Sequence, residues 1–294
     1  SDVCSSDLFN NIRLVWNYEQ DGVVPGDSIE FSINAIHMVY IPTGTFYAGD
    51  YRTSTNSFKN SSGVGIGPKL IIGESLDVVV SDGEDGIFDT YPTGYNAFYV
   101  MRNEVTQEQW RNFFNSLPAD GNYRLNRDIT AANGKNSDGL AYRNNLAWTG
   151  SGDATLPDQG GGATYCTVPM NYLSWADLAA YLDWAGLRPM SELEYEKAAR
   201  GPVGPVAGEF AWGSTSATNA SAVSNPGLGS EVPSNLGANT CWDGGVAGPV
   251  RAGAFAALNY GSASRAFSGA SFYGVMELSG NLRERAVEIG RAHV

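Results

Sequence analysis

Histidine and cysteine are the scarcest reactive residues here: two histidines and three cysteines in 294 residues. Two histidines cannot build a three-histidine iron centre, and once the two end segments treated below are set aside, the remaining two cysteines and one histidine cannot build a zinc centre. Positive charge is scarce too. Eighteen Lys and Arg stand against thirty-one Asp and Glu, a formal net charge of −13. That balance leaves no electrostatic footprint for nucleic acid or an anionic membrane. No run of about 18 apolar residues occurs, and the N-terminus lacks the basic and apolar regions of a signal peptide.

What is present suffices for a core. With 43% hydrophobic and 12% aromatic residues, the chain can bury one large domain or two small ones. Thirty-six glycines cluster with Asn, Ser and Asp, notably over 119–164 and 201–253. Aromatics are interspersed throughout these stretches, which predicts long ordered loops folded onto a small scaffold.

The two ends mirror each other. Glu288–Val294 (EIGRAHV) back-translates to a string whose reverse complement encodes DVCSSDL, the residues at Asp2–Leu8. The nucleotide string resembles a sequencing-library adapter, so 1–8 and 288–294 are read as cloning scars and excluded from fold reasoning. That leaves Cys166, Cys241 and His37 as the authentic reactive residues. The two cysteines can form one disulfide or remain separate thiols, the disulfide suiting an extracytoplasmic setting. His37, in the apolar run AIHMVYI, reads as a packed or rim residue rather than a catalyst.

Residues 9–36 read as an N-terminal hairpin segment, with alternating faces at Ile12–Trp16 and again at Ile29–Ile33 around a turn-rich DGVVPGDS. Met38–Tyr47 reads as strand, turn at Pro42–Gly44, strand; 50–67 reads as loop. Three helix starts then share one design. Thr106 with Gln109, Ser174 with Asp177 and Ser191 with Glu194 each place a capping hydroxyl three residues before an amide or carboxylate. Gly186 and Gly201-Pro202 supply stops. Trp110, Trp175 and Trp184 are assigned to the core between helices and sheet. Trp212, after the third helix, is better placed to line a pocket.

Five ordered segments carry a resemblance: MVYIPTGTFYAGD (38–50), EVTQEQWRNFF (104–114), PMNYLSWADLAAYLDWAGLRPMSELEYEKAARG (169–201), FAWGS (210–214) and YGVMELSGNLRERAV (273–287). Together they resemble the sulfatase-modifying factor family, the formylglycine-generating-enzyme-like domains. The resemblance implies an α+β, modified C-type-lectin-like fold of few helices, short strands and much irregular chain over 37–287. The family's closing region is expected beyond Val287. Where the family usually places Trp on either side of the glutamate in the last segment, this chain has Arg283 and Arg285.

The resemblance also implies chemistry. Its catalytic members oxidise a substrate cysteine, on sulfatases, to formylglycine with a copper-binding cysteine pair in the closing region; Cys166 and Cys241 match neither position. The sulfoxide-synthase branch depends on histidine-bound iron, which one authentic histidine does not support. The last segment implies a structural calcium ion held by the side chains of Glu277 and Glu284 and the carbonyls of Gly280 and Leu282. Calcium takes six to eight oxygens, several of them charged. The alternative is that these glutamates are solvated and pair with Arg283 and Arg285. The acidic run 81–89 and Asp243 are weaker calcium candidates. Two functions stay open: an oxidoreductase generating formylglycine, or a non-catalytic, calcium-stabilised extracytoplasmic module binding a surface ligand.

Overall fold

The computed structural model describes residues 15–29, 33–50, 68–74, 92–119, 122–130, 142–242, 244–258 and 264–287. The two end segments 1–8 and 288–294, the acidic run 81–89, Asp243 and nearly all of the 50–67 loop lie outside these. The chain divides into two units, 1–36 and 37–294.

In the first unit a 3-10 helix spans Tyr18–Asp21 and ends at Gly22, whose φ of 77° needs no Cβ penalty. The Trp16 indole N–H donates to Asp21 at 2.6 Å, and Val24 N–H donates to the Asp27 carboxylate at 2.9 Å. Such local side-chain bonds curl the backbone away from a ladder. Ile12 and Leu14 lie outside the described residues, and the described part of the predicted hairpin contains no strand.

In the second unit the three helices begin where the capping pattern puts them: α1 Gln107–Ser116, α2 Trp175–Trp184 and α3 Glu192–Arg200. All three have complete capping boxes, with the hydroxyl accepting from the third backbone N–H and that residue's side chain accepting from the cap's N–H. After α2, Gly186 N–H donates to Asp183 O at 3.1 Å and Leu187 N–H to Leu182 O at 2.7 Å. This paired return is a Schellman stop, which requires the positive φ of 69° that Gly186 supplies.

The strands are short. β1 Met38–Ile41 pairs antiparallel with β4 Phe98–Met101, and β2 Phe46–Ala48 pairs with β3 Lys69–Ile71. Thus the two strands read around Pro42–Gly44 exist, but each takes a distant partner instead of its neighbour. β5 Val223–Ser224 and β6 Val232–Pro233 form a third pair, and two short helices follow, α4 Ala254–Leu258 and α5 Arg265–Ser268. Among the described residues no helix is long and apolar enough to cross a membrane.

Packing explains the helix faces. Trp110, Phe113 and Phe114 of α1 are buried, and Trp110 and Phe113 meet Tyr181 of α2 at ring-centroid distances of 6.4 and 5.9 Å. Burying such rings is the largest local gain, roughly 1.5–3 kcal/mol each. Trp175 and Trp184 keep 42% and 37% of their surface exposed. Their assignment to the core is therefore corrected: Trp175 stands exposed in the first turn of α2, and Trp184 at its end covers the edge of the core, its ring 5.7 Å from Phe113 and 5.8 Å from Tyr181. Trp212, by sequence the better placed of these residues to line a pocket, is in the core instead. It is 1% exposed, stacks on Phe210 at 4.8 Å and donates from its indole to Ser216 O at 3.0 Å. His37 is exposed, and its carbonyl accepts Arg102 N–H at 2.8 Å just past the β1–β4 ladder.

A second apolar cluster, Ala220, Ala238, Cys241, Val250, Ala254 and Phe255, packs under α4. Cys241 is a free thiol inside it, so it is not bridged to Cys166.

Candidate cation site

The segment 277–284 folds as a turn because its neighbours fix it on several sides. Glu277 adopts φ 60° and Asn281 φ 66°, both left-handed, with Gly280 between them at φ 112°. Asn281 N–H donates to Cys241 O at 2.7 Å, while the Asn281 carboxamide accepts Val250 N–H at 2.7 Å and donates to Val250 O at 3.1 Å. Thr240 hydroxyl donates to Ser279 O at 2.7 Å, and Tyr195 hydroxyl donates to Leu278 O. A Cβ on Gly280 would lie 2.1 Å from Thr240 Oγ1, so only glycine lets the turn seat this closely.

Glu104, at the end of the strand-to-α1 connection, ties the same turn from the other side. Its carboxylate accepts Leu282 N–H at 2.8 Å and Asn281 Nδ2 at 2.6 Å. The sequence places Glu104 in a motif but gives no sign of this role, because its partners lie more than 170 positions along the chain.

Three carboxylates therefore converge in a desolvated place. Glu277 is 3% exposed; one of its oxygens accepts Gly253 N–H at 2.8 Å, and the other, Oε2, is buried with no hydrogen-bond partner. Glu284 is half-buried, yet its Oε1 is shielded and likewise unpartnered. Burial raises Glu277 from its ordinary value to about 7, against the pull of the Gly253 N–H and of Arg251 and Arg102. Burial raises Glu284 to about 8, against the hydrogen bond from its own backbone N–H and with a smaller push from the charge of Glu277. Glu104 is raised well above the ordinary range by burial and then by Glu277 and Glu284. Like charges in low dielectric resist joint ionisation unless a cation or protons intervene.

The ion-pair alternative does not hold. Arg283 and Arg285 are exposed, and neither forms an ion pair with Glu277 or Glu284 among the described residues. Nor do three His, Cys, Asp or Glu side chains among the described residues form a group fit to hold a metal unaided. A cation here has to draw on neutral oxygens. No hydrogen bond among the described residues reaches the carbonyl of Gly280 or of Leu282, whereas those of Leu278 and Ser279 are both engaged.

Above this turn lies a cavity of about 590 Å³ whose lining includes Asn103, Glu104, Leu282 and Glu284. All five methionines of the chain, Met38, Met101, Met170, Met190 and Met276, border it, together with leucines of α2 and the residues of β4. Flexible thioether side chains adapt to irregular apolar partners.

The cysteines stand apart from this chemistry. The Cys241 thiol donates to Gly248 O at 3.7 Å, and burial pushes it up to about 11, away from a reactive thiolate.

No match was found among curated proteins. Residues 30–289 match the family model described as Sulfatase-modifying factor enzyme 1-like domain.

Proposed function

Because this chain belongs to the sulfatase-modifying factor family, we propose that it is a calcium-held ligand-binding domain on a modified C-type-lectin-like scaffold, working outside the cytoplasm. The observation that carries this reading is the pair of shielded, unpartnered carboxylate oxygens, Glu277 Oε2 and Glu284 Oε1. An unpaired buried carboxylate costs several kcal/mol or takes up a proton. A divalent ion relieves both at once. The carbonyls of Gly280 and Leu282, which accept no hydrogen bond among the described residues, are the neutral oxygens such an ion needs, and calcium accepts irregular oxygen shells more readily than magnesium does. The Met-lined cavity beside Glu284 and Leu282 is the pocket for the ligand, a surface molecule or a segment of a protein partner.

The test is isothermal titration of the chelator-stripped protein with calcium. One ion per chain should bind, with a dissociation constant on the order of 10⁻⁵–10⁻³ M, the range from sensors to extracellular modules. Absence of binding at millimolar calcium contradicts the reading.

Formylglycine generation on a sulfatase-type cysteine is the second reading, and family membership supports it. Its copper chemistry would call for a cysteine pair, whereas Cys241 is a single free thiol in an apolar cluster. Mass spectrometry of a cysteine peptide incubated with the protein and copper separates the two functions. Conversion above a copper-only control would establish the oxidoreductase.

A further inference from the structure

Two glutamate oxygens and two carbonyls make four ligands, fewer than the six to eight calcium takes. A further shielded oxygen belongs to a residue that lines the same cavity as Leu282 and Glu284. The Asn103 side-chain Oδ1 is buried and accepts no hydrogen bond. It lies 4.0 Å from where a Cβ on Gly253 would stand, and the N–H of that same Gly253 donates to Glu277 Oε1 at 2.8 Å. The flanking residues hold it there. Arg102 O accepts Met276 N–H at 2.8 Å, and Glu104 accepts from Asn281 and Leu282. Residues 102–104 thus run along the outside of the turn, stitched at 276 on one side and at 281–282 on the other, with the Asn103 amide between the stitches.

An amide oxygen buried without a donor costs roughly 1–3 kcal/mol. The cost is the same kind that Glu277 Oε2 and Glu284 Oε1 carry. Three orphaned oxygens and two neutral carbonyls share one chemical solution. We propose that Asn103 is a further ligand of the cation, its Oδ1 joining Glu277, Glu284 and the carbonyls of Gly280 and Leu282. The inference rests on the calcium reading above. With it the protein supplies five oxygens, and because Asn103, Leu282 and Glu284 also border the cavity, the remaining positions open toward the ligand pocket.

The experiment compares calcium titrations of the full chain with those of Asn103→Ala, Asn103→Asp and Glu284→Gln, alongside melting in chelator. Asn103→Ala should weaken calcium binding about tenfold, the scale of losing roughly 1.4 kcal/mol. Asn103→Asp, which keeps the oxygen and adds charge, should bind at least as tightly as the parent. In chelator Asn103→Ala should melt no lower than the parent, since it removes an unsatisfied oxygen; a merely structural asparagine would lower melting with and without calcium alike. If Asn103→Ala binds within twofold of the parent while Glu284→Gln is weakened, Asn103 is not a ligand and the calcium site stands without it. If the parent itself binds no calcium, the underlying reading fails and this inference with it. Should Asn103→Ala not fold, Asn103→Ser takes its place with the same two outcomes.

Discussion

Replacing Gly280 with alanine tests the turn that holds the candidate site. The added Cβ would lie 2.1 Å from Thr240 Oγ1 and 3.0 Å from Cys241 O, at a φ of 112° that side chains other than hydrogen avoid. Three costs follow. Holding a non-glycine residue in that backbone region costs roughly 1–3 kcal/mol. Overpacking against Thr240 and the Cys241 carbonyl adds roughly 1–3 kcal/mol. Displacing the Thr240 hydroxyl breaks its 2.7 Å bond to Ser279 O, about 1 kcal/mol. Gly280→Ala should therefore lose about 3–7 kcal/mol in urea denaturation, a large share of the stability of an ordinary domain. The double variant with Thr240→Ala removes the closest clash and should recover about 1–3 kcal/mol as a coupling term, leaving the backbone strain in place. A loss below about 1 kcal/mol, or strict additivity of the two substitutions, would show that the turn does not seat against Thr240 and that this reasoning is wrong.

Further outcomes follow from the same physics. In chelator, stability should fall as pH rises from about 4.5 to about 8: the folded protein keeps Glu277 and Glu284 protonated up to about 7 and about 8, whereas the unfolded chain releases those protons near 4.5. Denaturation midpoints at about pH 5 and about pH 8 measure this, and a midpoint that does not fall across the window speaks against the burial of these groups. Ser174→Ala removes the oxygen that accepts Asp177 N–H at 3.2 Å and should cost about 1 kcal/mol, with α2 fraying first in hydrogen exchange. Trp110→Ala should cost about 3–5 kcal/mol; Trp175→Ala, at a residue 42% exposed, should cost less than about 1 kcal/mol, and equal losses would contradict the packing described.

The capping hydroxyls announced α1, α2 and α3 because a capping box is written in four consecutive residues, and nothing distant needs to be known. Strand pairing is different. Met38–Ile41 and Phe46–Ala48 are visible as strands from their apolar residues, but their partners at 98–101 and 69–71 are chosen by packing across tens of residues. The same distance hid part of the site. Glu277, Gly280, Leu282 and Glu284 fall within one short segment and are legible from its resemblance to a family motif. Glu104 and Asn103 reach that segment only through the fold, and neither alternation nor helical spacing marks a residue whose partners lie so far away. Trp175 and Trp184 were misjudged for the converse reason: composition marks them as apolar, whereas exposure depends on where a helix begins and ends against its neighbours.

The central claim is that a divalent cation resolves the burial of Glu277 and Glu284. Thermal melting near neutral pH, in about 1 mM calcium and again in excess chelator, tests it most directly, with Glu284→Gln measured in parallel. Binding to the folded state alone stabilises by mass action. Calcium should therefore raise the melting temperature of the parent by several degrees, and Glu284→Gln should abolish most of that rise while melting at least as high as the parent in chelator, since it removes a carboxyl whose ionisation burial suppresses. Identical melting of the parent with calcium and with chelator would contradict the account.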